Sequence, residues 1–130
     1  MGLDMYLTGE AFFTHEHANR KIKPHPIKQT EYELAYWRKH PNLHGYIVST
    51  FADGEDNCKK IWLGEDHLKK IIATLEGKEE LPHTEGFFFG TSDNTPEERA
   101  EDLKIFKDAL AWVQTKEADV WKEVYYQASW

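Results

Sequence analysis

Residues Thr95–Ala128 read TPEERAEDLKIFKDALAWVQTKEADVWKEVYYQA, a helix and then a strand, and this stretch decides the fold class. Thr95 is a suitable N-cap, Pro96 suits the first helical position, and Glu98 stands where a capping box needs its reciprocal partner. Leu103, Phe106, Leu110 and Val113 line one face of the expected helix. Ile105, Ala109 and Trp112 line another, so the helix is expected to be buried on more than one side. The segment Trp121–Ala128, WKEVYYQA, is aromatic and β-rich and makes a closing strand.

Working back from this stretch, Gly86–Gly90 reads GFFFG, which predicts a strand buried on both faces. Leu68, Ile71, Ile72 and Leu75 follow the i, i+3, i+4, i+7 spacing of a buried helix face, with Glu65 and Asp66 in the first turn and Gly77 at the end. Lys60–Leu63 predicts a short strand. Ala52–Asn57 predicts a tight acidic turn in which Gly54 takes positive φ. Pro41 opens a helix carrying Leu43, His44, Ile47, Val48 and Phe51. Residues Glu31–Lys39 predict a short helix that stops at His40, because a residue before proline disfavours the α region. His15–Gln29, broken by Pro24 and Pro26, predicts a long loop. Leu3, Met5 and Leu7 alternate with polar neighbours and predict a first strand, extended or paired through Phe12 and Phe13. The sum is an α+β fold, a mainly antiparallel sheet of about four strands packed against about four helices. No repeat or linker divides the chain, so residues 1–130 are expected to form one globular domain.

The bulk numbers are consistent with this. Of 130 residues, 40% are hydrophobic and 14% aromatic, a supply that argues for a packed core and against disorder. The formal charge of −7 argues against nonspecific nucleic-acid or membrane binding, which needs clustered Lys and Arg. Cys58 is the single cysteine, so no intrachain disulfide forms and a reducing compartment is expected. The start of the chain lacks a signal-peptide pattern, and no apolar run approaches a bilayer span. A cytoplasmic location is therefore expected.

Several segments taken together carry a resemblance. They are the opening MGLDMYL, YWRK at Tyr36–Lys39, the Asn42–His44 pair, DGEDNC at Asp53–Cys58, GFFFG, and the closing YYQASW. The set resembles a family of small bacteriophage and prophage proteins with no assigned activity, and the similar segments span nearly the whole chain. The resemblance implies a phage-type context and a single-domain architecture, and it implies no reaction.

The densest polar constellation joins Arg38, Lys39, His44, Asp53, Glu55, Asp56, Asn57 and Cys58 around the expected helix ends and acidic turn. Cys58, His44 and Asp56 suggest a nucleophile, its base and an orienting carboxylate, although no catalytic Cys signature surrounds them. A buried inert thiol is the commoner fate of a free Cys. His15, Glu16 and His17 suggest a metal site, but without the H-E-x-x-H spacing of a helical zinc site. Asp53–Asn57 lacks the ligand order of a calcium loop and reads better as a turn. No phosphate-cradling motif is present. The aromatics from Tyr36 to Trp130 include possible stacking surfaces, and most are expected in the core. Tyr36, Trp37 and Arg38 are the residue types that dominate binding hot spots.

The function expected first is noncatalytic: a phage-type accessory protein binding a host protein, with a possible counter-defence role. Its contact residues would be Tyr36, Trp37, Arg38, His44, Asp53, Asp56, Asn57 and Cys58. The alternative is a small enzyme or a small-ligand or nucleotide binder built on His44, Asp56, Asn57 and Cys58. A third possibility is self-association through a sheet edge or an aromatic patch. No cofactor is expected.

Overall fold

The computed structural model describes residues 2–13, 21–22, 25–77, 79–84, 90–93 and 95–130, with backbone alone at 21–22 and 25–26. The expected strand at Gly86–Gly90, apart from Gly90 itself, and the His15-Glu16-His17 segment lie outside the described residues. In chain order the elements are β1 (Asp4–Phe13), β2 (Lys21–Ile22), β3 (His25–Pro26), β4 (Gln29–Arg38), α1 (Pro41–Phe51), β5 (Ile61–Trp62), α2 (Glu65–Glu76), α3 (Pro96–Gln114) and β6 (Val120–Ser129). Four strands form one antiparallel sheet in the order β4-β1-β6-β5, and β2 pairs with β3 in a separate two-stranded ladder. The α+β class is as the sequence predicts.

Among the described residues there are three helices, where about four were expected. The difference lies at Glu31–Lys39, which is strand β4 and not a helix. The cause is a β-bulge. The β1–β4 register shifts between Leu7 and Thr8, so that Leu7 faces Ala35 while Thr8 faces Glu33. Leu34 is the extra residue, and the bulge brings it and Ala35 against the core together. Strict period-two alternation is lost, and Tyr32, Leu34, Ala35 and Trp37 take on a helix-like spacing. The expected loop His15–Gln29 is shortened as well, since β2 and β3 pair within it and β4 begins at Gln29.

Leu3, just before β1, and Met5, Leu7, Ala11 and Phe13 on it are buried on one face. Their neighbours across the ladders include Trp37, Tyr126 and Ala128, and Val124 lies opposite Gly9. Onto this inner face the helices deliver Leu43 and Ile47 (α1), Leu68, Ile71 and Leu75 (α2), and Phe106, Ala109 and Val113 (α3), all in one cluster. Each large side chain so buried contributes about 1.5–3 kcal/mol before the entropy of ordering is set against it.

The helix ends are defined by specific bonds. Pro41 sits at the first turn of α1, which is buried at Pro41, Asn42, Leu43, His44, Tyr46, Ile47 and Val48. Thr95 caps α3, its hydroxyl accepting the Glu98 N–H at 3.1 Å. The Glu98 carboxylate accepts the Asp93 N–H at 3.0 Å, upstream of the partner that the capping-box pattern suggests. α2 has no basic residue in its own last turn. Arg99 of α3 serves instead, donating to the carbonyls of Leu75 (2.7 Å), Thr74 (2.9 Å), Gly77 (3.0 Å) and Glu79 (2.6 Å). The Leu75, Gly77 and Glu79 carbonyls are acceptors at and just past a helix C-terminus, while the Thr74 carbonyl also takes the Gly77 N–H at 3.2 Å.

Candidate functional site

The side chains at even positions of β1 point away from the helices. Cross-strand pairing puts Asp4 beside Arg38, Tyr6 beside Tyr36, Thr8 beside Glu33 and Glu10 beside Glu31 on one flank. On the other flank Glu10 lies beside Glu123 and Phe12 beside Trp121. Glu31, Glu10 and Glu123 therefore form one row across three strands, although like charges set directly opposite repel. Glu10 is only 5% exposed and is paired with Lys60 at 2.7 Å. That bond holds the Lys60 ammonium above the usual lysine range. Glu123 accepts from the Trp121 indole (2.9 Å) and the Tyr125 hydroxyl (2.6 Å), and the second bond pushes the Tyr125 phenol up to about 12. Glu31 and Glu33 remain exposed on the edge strand β4. Tyr6 and Tyr36 lie with ring centroids 5.3 Å apart, and Trp121 is 62% exposed. The Tyr36 hydroxyl donates to Asp4 at 2.6 Å, which raises its phenol pKa. The outer face is thus acidic and aromatic, with Arg38 and Lys60 as cations.

The residues singled out in the sequence fall in three places. Trp37 faces inward, stacked on Phe106 with its indole donating to Asp102 at 2.9 Å. With Tyr36 and Arg38 it lines a cleft of about 490 Å³ that Asp93, Glu97 and Glu101 also border. His44 is buried, with Nδ1 against the Tyr126 hydroxyl (2.6 Å) and Nε2 against Asp56 (2.9 Å). Burial, then the nearby Asp56 charge, raises the Tyr126 phenol pKa, so it stays protonated and can donate to the ring. The same Asp56 oxygen accepts the Trp130 indole N–H at 3.1 Å. Asn57 and Cys58 share with His44 a hollow of about 10 Å³, room for about one water and no substrate. Both imidazole nitrogens are engaged by Tyr126 and Asp56, leaving neither to activate the Cys58 thiol. The Asn57 side chain accepts the Lys59 N–H at 3.2 Å, an Asx-type turn. Asp53 is exposed, and it lines a separate groove of about 360 Å³ with Lys60, Trp62 and His67.

Sequence reasoning used His40 only as a helix stop and Glu98 only as a cap. Both border the first cleft with Asp102. His40 Nδ1 lies 2.7 Å from the Ser92 hydroxyl, which also accepts the Asn42 N–H at 3.1 Å. His40 Nε2 lies 2.7 Å from Asp102 Oδ2 and 3.6 Å from Glu98 Oε1. The available signal was Asp102, a charged residue four positions before Phe106 on the helix face that Phe106, Ala109 and Val113 bury. Among the described residues, His40, Glu98 and Asp102 form the one group of three whose ligand-type atoms all lie within 4.8 Å of one another. No described helix is long and apolar enough to cross a membrane. No protein-family model, no curated protein and no solved structure matches the chain.

Proposed function

We propose that the protein is a noncatalytic binding protein whose outer sheet face engages a basic segment of a partner protein. The row Glu31–Glu10–Glu123 carries this reading. It sets like charges side by side, with Lys60 as the cation bonded to it. Such an arrangement costs stability within the chain, and an incoming Lys or Arg would relieve it. Tyr6, Tyr36 and Trp121 add rigid apolar contact at the same face. The resemblance to phage and prophage proteins supports a host protein as the partner, in an accessory role that can include counter-defence. Against the enzyme or small-ligand alternative stands the size of the His44–Cys58 hollow.

Affinity capture from a bacterial lysate tests this, comparing the native chain with Glu31→Lys/Glu33→Lys, both exposed positions on β4. A basic protein retained by the first bait, lost from the second and released by salt is the expected result. Identical recoveries from both baits, with a control bait succeeding, would overturn the reading.

A further inference from the structure

We propose that His40, Glu98 and Asp102 bind a divalent first-row metal ion at the floor of the cleft beside Trp37. The argument starts from how each side chain is held. His40 has Nδ1 against Ser92 and turns Nε2 to the common point. Asp102 receives the Trp37 indole N–H on Oδ1 and turns Oδ2 to the same point. Glu98 receives the Asp93 N–H on Oε2, and its Oε1 lies 3.6 Å from the imidazole Nε2. Each of the three therefore has one atom tied by a group outside the trio and the other directed inward. Metal sites use this pattern: an outer partner fixes the tautomer of a ligating imidazole and the orientation of a ligating carboxylate.

Charge points the same way. Asp102 is 3% exposed and shares its surroundings with a second carboxylate. A divalent ion at the common point would neutralise both carboxylates. Nitrogen with two carboxylate oxygens suits Zn²⁺ or Mn²⁺, and three protein ligands leave coordination positions facing the cleft. The backbone is shaped to this end. Lys39, at φ 55°, occupies a left-handed conformation that non-glycine residues rarely adopt, and it turns the chain from β4 into His40. Glu98 and Asp102, four residues apart on α3, share one helix face.

The test titrates the metal-stripped full-length chain with Zn²⁺, and separately with Mn²⁺, by calorimetry. One ion per chain is expected. Glu98→Gln changes a partly exposed side chain, so its fold is expected to persist by circular dichroism while affinity falls at least ~10-fold. Ser92→Ala, which releases the imidazole, is expected to weaken binding by roughly 10–100-fold. His15→Ala/His17→Ala is expected to leave affinity unchanged. With Co²⁺ as the probe, the visible d–d bands of the native complex are expected to change in Glu98→Gln. The proposal is overturned if the folded native chain takes up neither Zn²⁺ nor Mn²⁺. It is overturned equally if folded Glu98→Gln binds with native affinity and an unaltered Co²⁺ spectrum, or if only the His15/His17 variant loses the ion.

Discussion

At the residue scale, positions with no side chain can be as constrained as those with one. Gly9 on β1 lies under the indole of Trp112, where an added Cβ would come within 2.8 Å of two ring carbons. Trp112 is packed edge-on against Tyr32 and against the Lys122 ammonium, so it has little room to retreat. Gly9→Ala is therefore expected to destabilise the fold by about 1–3 kcal/mol, the usual cost of overpacking, as a lower urea midpoint with an unchanged slope. A midpoint equal to the native one would show that the indole moves freely. Sequence reading had no access to this constraint, since the two residues meet only once β1 and α3 are packed. The same holds for His40 and Asp102, separated by 62 positions and joined at 2.7 Å.

At the element scale, the helices were legible, whereas β4 was read as a helix and the paired β2 and β3 as loop. Pro41, Thr95 with Pro96, and the Leu68–Leu75 spacing are local signals, and the helices begin and run where those signals stand. β4 was misread because its apolar residues are spaced by a bulge, which depends on the partner strand and not on β4 itself. The end of α2 is likewise completed from elsewhere, by Arg99 of α3. Arg99→Ala is expected to cost about 1–3 kcal/mol by leaving carbonyl acceptors without a donor. It is also expected to speed amide hydrogen exchange at the last turn of α2 more than at the first turn of α1. Uniform acceleration throughout the chain would instead indicate a purely global effect.

At the scale of the whole molecule, the outer sheet face makes stability sensitive to alkali. Tyr125 is raised from 10.0 to about 12, first by its bond to Glu123 and then by burial. Lys60 is raised by its bond to Glu10, and Tyr36 by its bond to Asp4. Each group binds its proton more tightly folded than unfolded. Their contribution is therefore complete below the unfolded Tyr and Lys values of about 10 and is lost as pH climbs through the folded values. Urea midpoints are expected to hold to about pH 9.5 and then to fall steeply toward pH 12. Tyr125→Phe is expected to flatten that decline, and an unaltered alkaline limb in the variant would count against the Tyr125–Glu123 bond.

By itself, the sequence determined that this chain mixes helices with an antiparallel sheet, where α1, α2 and α3 begin, and which of their faces are apolar. These follow from periodicity, caps and prolines, whose effects reach only a few residues along the chain. Tertiary structure alone decided that Tyr36, Arg38, His44 and Asp53 serve three different places. It also decided that three glutamates align across β4, β1 and β6, and that His40, Glu98 and Asp102 converge. Those outcomes depend on strand register and on how α3 crosses the sheet, and both are set by packing between segments tens of residues apart.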